Sequence, residues 1–160
     1  MTDDTREQLL RELMRSQQQV SALLRAMSDA QDWQPEPAEW SFRCVAAHLA
    51  AIERKCYLRR LAGIASGTNP TLPTYSGTVQ DLVREDLNES LLRWQAVRHE
   101  LVEFVRSLPE ETLSFTGVHE AFGAVTVLDT LAEIVEQDHR QARHLQQLIR
   151  DYYEELAQVN

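Results

Sequence analysis

Residues 126–156 read TVLDTLAEIVEQDHRQARHLQQLIRDYYEEL, and their apolar side chains recur at intervals of three and four residues. These intervals place the apolar side chains along one stripe of an α-helix. The stripe consists of Leu128, Leu131, Val135, Ala142, Leu145, Ile149, Tyr152 and Leu156. The segment therefore predicts a long helix that buries one face against other helices.

Three further segments carry the same periodicity. Their apolar stripes predict helices over residues 4–27, residues 42–64, and a third segment that ends near residue 108. Ser41 can cap the second of these helices, and Thr78 with Asp81 resembles a capping box for the third. No strand-type alternation persists beyond a few residues. Four amphipathic helices cover one another's stripes most simply as an all-α four-helix bundle.

The connections between these helices indicate the topology. Residues 65–77, ASGTNPTLPTYSG, are long enough to cross one end of a bundle instead of making a tight turn. We therefore expect the second and third helices to run in the same direction, in an up-down-down-up bundle. Residues 109–124 are expected to be irregular. The whole chain, residues 1–160, is expected to form a single domain.

Composition limits the partners. The chain is 43% hydrophobic and 26% charged, with a formal net charge of −9. A negative surface repels phosphate backbones and anionic lipids, so we expect no nucleic-acid binding and no membrane binding. The first residues are charged and contain no apolar core, which argues against a secretion signal. Cys44 and Cys56 are too far apart on one helix to form a disulfide, so we expect reduced thiols and a cytoplasmic location.

Two polar residues of the second predicted helix share an inward face. Cys44 and His48 are four residues apart, and both side chains could reach one soft metal ion. The alternative is that Cys44 is a small core residue and His48 is a buried histidine with its hydrogen bonds satisfied, because buried free cysteines are common.

The fourth predicted helix carries a carboxylate on its apolar stripe. Asp138 falls at the centre of the stripe, where it needs a partner, either in a salt bridge or in a pocket. Gln137 and Gln141 flank the stripe on one side, and His139 flanks it on the other. His144 points away from the core. Because His139 and His144 are five residues apart, they do not form a metal-binding pair.

The two remaining histidines and a search for common motifs add no residue to the candidate site. His99 and His119 have no partner at a useful spacing, and we expect both on the surface. The sequence contains no G-x-S-x-G, P-loop, Rossmann glycine pattern, CxxC or HExxH. The candidate site therefore depends on the second and fourth helices.

Two groups of residues on those helices resemble a family signature. The first group is Trp40-Ser41, His48-Leu49-Ala50 and Glu53. The second group is Phe122-Gly123, Val125-Thr126-Val127, Asp129, Leu131, Ile134, Glu136 and Asp138. Together they resemble the DinB-like superfamily of four-helix bundles, which includes proteins regarded as metalloenzymes and bacterial thiol-dependent transferases. The resemblance implies an up-down-down-up bundle, frequent dimerisation, and a divalent metal site made of three histidines, two of them from an H-x-x-x-H on the fourth helix.

The sequence departs from that pattern at the metal ligands. His48 matches the first histidine, but Gln137 and Gln141 occupy the H-x-x-x-H positions. An alternative register would place Arg140 and His144 there, and it would lose the match of Asp138. A carboxamide is a poor replacement for imidazole toward zinc or nickel, so we expect weak binding of a divalent metal such as Zn, Ni or Mn, or none. Cys44 or Glu53 could supply a replacement ligand.

Three functions follow as hypotheses. The first is a homodimeric small-molecule-binding or stress-associated protein whose family metal site is lost or weakened. Its pocket would contain His48, Gln137, Gln141, Asp138 and Cys44. The second is a metal-dependent hydrolase or thiol-dependent transferase that uses His48 with an irregular ligand set. The third is a homodimeric interaction module without an enclosed polar pocket.

Overall fold

The structure is a computed structural model that describes residues 2–76 and 85–159. Its helices are α1 (Thr2–Arg25), α2 (Phe42–Ile52), α3 (Leu58–Ala65), α4 (Leu87–Arg106) and α5 (Val127–Val159). Its strands are β1 (Gly117–His119) and β2 (Gly123–Val125). None of the helices that the structure describes combines the length and apolar character needed to cross a lipid bilayer.

The second bundle helix contains a π turn. Helices α2 and α3 are joined without interruption by Glu53–Tyr57, where the backbone N–H of Leu58 donates to the carbonyl of Glu53 five residues earlier. A π turn widens the helix locally, and such turns are frequent at functional sites. The helix predicted over residues 42–64 is therefore present as one run, and its irregular turn lies beside the site described below.

The directions of the helices follow from pairs of contacts. Near the beginning of α2 and of α4, Arg43 Nη1 donates to the carbonyl oxygen of Glu85 at 3.1 Å. Further along both, Arg54 Nη2 lies 3.0 Å from Glu100 Oε2. The contact further along the second bundle helix is also the contact further along the third, so these two helices are parallel.

The other two bundle helices run the opposite way. Along α1 and α5, Ser16 contacts Asp138, and Trp33, which follows α1, contacts Glu155 near the end of α5. Helices α1 and α5 are therefore parallel to each other. Arg6 at the start of α1 donates to the carbonyl of Leu108 beyond the end of α4, so these two helices are antiparallel. The predicted up-down-down-up four-helix bundle is confirmed.

Two apolar clusters fill the bundle. The hairpin-end cluster includes Leu10, Leu13, Leu61, Ile64, Leu101, Val105, Val127 and Leu131. The far-end cluster includes Val20, Leu24, Phe42, Val45, Leu87, Trp94, Ala142 and Leu145. Between them, each bundle helix contributes at least one buried polar residue, among them Ser16, Glu53, Arg98 and Asp138. Burial of the apolar stripes thus holds both ends of the bundle, with a polar layer between them.

Local capping sets two of the helix starts. The backbone N–H of Cys44 donates to Ser41 Oγ at 3.2 Å, so the predicted N-cap of α2 is confirmed. At α4, the backbone N–H of Asn88 donates to Asp86 Oδ2 at 3.0 Å. The capping box predicted at residues 78 and 81 lies outside the described residues.

The segment after α4 is more regular than expected. It contains a short 3₁₀ helix, Glu110–Ser114, and an antiparallel hairpin of β1 and β2 that pairs Gly117 with Val125. The backbone N–H of Val118 also donates to the carbonyl of Pro70 at 2.8 Å, which attaches the long crossover to the hairpin. The hairpin was missed because three-residue strands are too short to show an alternating pattern.

Candidate functional site

A small cavity lies at the level of the π turn, between α2, α4 and α5. Its volume is about 70 Å³. Its lining consists of His48, Leu49, Ile52, Glu53, Tyr57, Trp94, Gln137, Asp138 and Gln141. Five of these residues come from α2 and its π turn, one from α4 and three from α5, so the site requires the assembled bundle.

A buried charge network forms one side of the cavity. Arg98 Nε lies 2.7 Å from Glu53 Oε2, and Arg98 Nη2 lies 2.7 Å from Glu53 Oε1. On the other side of the guanidinium, Nη1 lies 2.8 Å from Asp138 Oδ2. We call Glu53, Arg98 and Asp138 the charge network. It joins the π turn, α4 and α5 through a single arginine.

Neutral donors complete the hydrogen bonding of both carboxylates. Trp94 Nε1 donates to Glu53 Oε1 at 2.9 Å, and Ser16 Oγ donates to Asp138 Oδ2 at 2.5 Å. Burial by itself lowers the pKa of Arg98, but the charges and hydrogen bonds of Glu53 and Asp138 outweigh it and raise that pKa above its usual value. The guanidinium therefore stays charged between its two carboxylate partners.

His48 lies between two aromatic rings. Its ring centroid is 4.7 Å from that of Trp40, in an edge-on arrangement, and 5.6 Å from that of Tyr75. Its Nδ1 atom is buried and has no hydrogen-bond partner among the described residues. Burial lowers the pKa of His48, so the imidazole is neutral at neutral pH.

The two glutamines of α5 also line the cavity. Gln137 lines both the cavity and an open groove of about 480 Å³ that also contains Phe122. Gln141 lines both the cavity and a second groove of about 260 Å³ that also contains Trp40. The cavity thus lies between two surface grooves, and one carboxamide side chain stands at each boundary.

Most of the predicted pocket residues come together here. His48, Gln137, Gln141 and Asp138 all line the cavity. Cys44 is buried but is not among the lining residues, and its backbone N–H is part of the helix cap instead. The sequence left two roles open for Asp138, in a salt bridge or in a pocket. Asp138 has both roles, because it pairs with Arg98 and lines the cavity.

The remaining histidines lie elsewhere. His139, His144 and His99 are exposed, and His144 lies in the groove beyond Gln141. The prediction of a surface position was wrong for His119, which is buried in the hairpin. Its Nδ1 accepts the backbone N–H groups of Ala121 and Phe122.

Several site residues were not found from the sequence. Arg98 and Tyr57 were not considered, and Trp94 was assigned only to an apolar stripe. A signal for Arg98 was present, because it occupies the stripe position between Trp94 and Leu101. A charged residue on an apolar stripe needs a buried partner.

The carboxylates beside the cavity, which could otherwise bind a metal ion, are already held by Arg98. Both oxygens of Glu53 already accept hydrogen bonds from Arg98, and Asp138 is held by the same guanidinium. Within the described ranges, no three His, Cys, Asp or Glu side chains converge as possible ligands of one metal ion. Cys44 and Glu53 were the replacement ligands suggested by the sequence. Cys44 does not line the cavity, and both carboxylate oxygens of Glu53 already bind Arg98.

These features define a four-helix-bundle protein with a polar cavity between its helices. The sequence model of the DinB superfamily matches residues 12–148, and the chain belongs to this superfamily. Among solved structures, YfiT from Bacillus subtilis matches with a TM-score of 0.77 and 20% sequence identity, over 91% of this chain and 86% of that chain. YfiT is described as "a probable metal-dependent hydrolase with an unusual four-helix bundle topology". No curated protein matches the chain significantly in sequence.

Proposed function

We propose that this DinB-superfamily protein binds a small molecule in the cavity beside the charge network and has lost the metal centre of its family. The observation that carries the proposal is the set of groups around the cavity. His48 faces two carboxamides, those of Gln137 and Gln141. Amide oxygens are hard, weak ligands for the metals that imidazole favours.

The nearby carboxylates do not repair this ligand set. Glu53 and Asp138 share Arg98, and a metal ion that recruited either of them would leave a buried guanidinium partly unpaired. One imidazole and two carboxamides therefore do not fit a zinc or nickel ion. They fit a small polar ligand, because together they offer hydrogen-bond donors and acceptors in a small recess beside the charge network.

A metal-loading experiment tests the first half of the proposal. Protein purified without an affinity tag is stripped with a chelator and titrated with Zn²⁺, Ni²⁺ and Mn²⁺ by calorimetry, alongside His48→Ala. We expect no stoichiometric complex in either protein. A tight one-to-one complex that disappears in His48→Ala would overturn the proposal.

A ligand screen tests the second half. Small polar fragments are screened by NMR, with the side-chain amide signals of Gln137 and Gln141 as reporters. We expect fragments that shift these signals in the native chain. In Gln141→Trp, whose indole would fill the recess, the remaining Gln137 signal should not shift. A matched control is Gln146→Trp on the exposed face of α5. Binding that is unaffected by Gln141→Trp would show that the cavity is not the site.

A second candidate function is metal-dependent hydrolysis. The observation that favours it is the shared fold with YfiT, together with two carboxylates on the cavity wall. In such an enzyme a bound metal would lower the pKa of a water molecule. The calorimetric titration separates the two functions, because this one requires the complex that the first one excludes.

A further inference from the structure

The charges beside the cavity do not cancel. Glu53 and Asp138 carry two negative charges and Arg98 carries one positive charge, so the charge network has an excess of one negative charge. All three side chains are buried, where water screens the excess charge poorly. The other ionisable groups of the lining do not offset it, because burial keeps His48 neutral by lowering its pKa.

Tyr57 responds to the same field. Burial is the main cause that raises the pKa of its phenol, and the carboxylates of Glu133, Glu53 and Asp138 add to it. Burial opposes a charge of either sign, whereas the carboxylates oppose a further negative charge only. An anionic ligand would meet the same repulsion, whereas a cation would be attracted.

The cavity wall offers acceptors to such a cation. The carboxamide oxygens of Gln137 and Gln141 can accept hydrogen bonds, and both residues line the cavity together with Glu53 and Asp138. The cavity, at about 70 Å³, is large enough for an ammonium group and little more. The rest of a ligand must therefore lie outside it.

The groove beyond Gln137 can hold that remainder. It has a volume of about 480 Å³. Its walls combine the apolar residues Phe122, Ala124, Val125 and Ala132 with the polar residues Asp129, Glu133, Glu136, Gln137 and Arg140. Phe122 is 68% exposed, which is unusual for so large an apolar side chain. Gln137 lines both spaces, so a ligand that passes this residue would place its polar head in the cavity and its carbon chain in the groove.

We propose that the cavity binds the protonated amino group of a small primary amine, with the carbon chain of the amine lying against Phe122 in the neighbouring groove. This inference rests on the proposed function, since it names the ligand class for the same cavity. The excess negative charge selects the cation, and the size of the cavity limits the part of the ligand that enters it to a small head group such as an ammonium.

Three probes of equal length test the choice of charge. Butylammonium, butan-1-ol and butyrate are titrated at constant ionic strength and neutral pH. The reporter is the indole N–H signal of Trp94, assigned with Trp94→Phe. We expect butylammonium to bind about tenfold or more tightly than butan-1-ol, and butyrate not to bind. Failure of butylammonium to shift the Trp94 signal at millimolar concentration would overturn the inference.

Charge substitutions at the wall give a second test. Gln141→Lys places a cation at the cavity, and we expect it to weaken butylammonium binding about tenfold or more. Gln141→Glu should strengthen binding. The matched controls are Gln146→Lys and Gln146→Glu, which change the charge of the same helix on its exposed face and should leave binding unchanged. Equal effects at positions 141 and 146 would overturn the inference.

The two proposals can fail separately. If butan-1-ol binds at the Trp94 signal as tightly as butylammonium, the preference for amines is wrong, and small-molecule binding in the cavity stands. If the native chain forms a tight metal complex that depends on His48, the proposed function is itself wrong.

Discussion

Arg98 binds Glu53 through two parallel hydrogen bonds of 2.7 Å at the centre of the bundle. The same guanidinium reaches Asp138 on α5, and its Nη1 also donates to the carbonyl of Leu13 on α1 at 2.7 Å. One side chain of α4 therefore contacts all three of the other bundle helices. Because its partners are buried, the loss of this side chain leaves charges that water cannot reach.

Replacement of Arg98 should be severely destabilising. We expect Arg98→Met to lower the free energy of unfolding by about 3–5 kcal/mol, because both carboxylates lose their counter-charge. Urea denaturation followed by circular dichroism measures the change. The control is Arg54→Met, which removes an exposed pair with Glu100 and should cost about 1 kcal/mol or less. Similar losses in the two variants would contradict the role given to the charge network.

Histidines introduced at positions 137 and 141 should create a metal site. In the double variant Gln137→His, Gln141→His, the two new imidazoles would line the cavity together with that of His48. We expect the affinity for Zn²⁺ to rise at least about 100-fold, because imidazole replaces two weak amide ligands. Competition with a chromogenic chelator measures it.

The matched control for this variant lies two turns further along α5. Gln146→His, Arg150→His introduces the same H-x-x-x-H spacing at exposed positions away from His48. It should bind zinc much more weakly than the cavity variant. If the two double variants bind zinc equally, His48 is not positioned to complete the site.

Stability should fall as the solution is acidified through the range of histidine. Burial lowers the pKa of His48 below its ordinary value of 6.5. Between the lowered pKa and 6.5, the unfolded chain therefore binds a proton that the folded chain does not, and the free energy of unfolding decreases as pH falls. Urea denaturation at a series of pH values measures the slope.

Two variants assign that slope to His48. In His48→Asn, the decrease in this pH window should be smaller than in the native chain. In His99→Asn, which changes an exposed histidine, the slope should match that of the native chain. An unchanged slope in His48→Asn would mean that another group titrates on unfolding.

The two glycines of the hairpin should respond differently to substitution. A Cβ at Gly117 would lie 2.5 Å from Leu72 and 3.0 Å from Ile64, so Gly117→Ala should cost about 1–3 kcal/mol through overpacking. Gly123 has a φ of +73° and open space around it, so Gly123→Ala should cost about 1–2 kcal/mol through backbone strain alone. Thermal unfolding measures both.

Asparagine distinguishes the two causes. It tolerates a left-handed backbone, so Gly123→Asn should be less destabilising than Gly123→Ala. Gly117→Asn adds more atoms to the same crowded space and should be more destabilising than Gly117→Ala. The same order at both positions would contradict one of the two explanations.

The bundle was predictable from the sequence because its stripes are long and regular. The helical period is visible over 20 or so residues, and the cap at Ser41 depends only on neighbours in the chain. The π turn was not predictable, because the sequence of Glu53–Tyr57 fits an α-helix equally well. Homodimerisation and a cytoplasmic location stay predictions.

The site was less predictable, because its contacts join distant parts of the chain. Arg98 meets Glu53 and Asp138 across separations of 45 and 40 residues, which no local pattern records. His119 was misplaced because the hairpin that buries it was not predicted. Its ring is held by the turn of a hairpin and lies 3.4 Å from Glu133 on α5.

The polar layer between the two apolar clusters also fixes how the helices align. Aliphatic side chains at neighbouring turns are nearly interchangeable, so apolar contacts alone would tolerate a slip of one helix by a turn, about 5.4 Å. Such a slip would place Arg98 among leucines and leave Glu53 without a counter-ion. We therefore expect a chain with apolar residues at all three network positions to stay folded but to lose its unique register, seen as broadened NMR signals. The charge network would then determine the register in which the helices pack, because the turns on either side of it are similar.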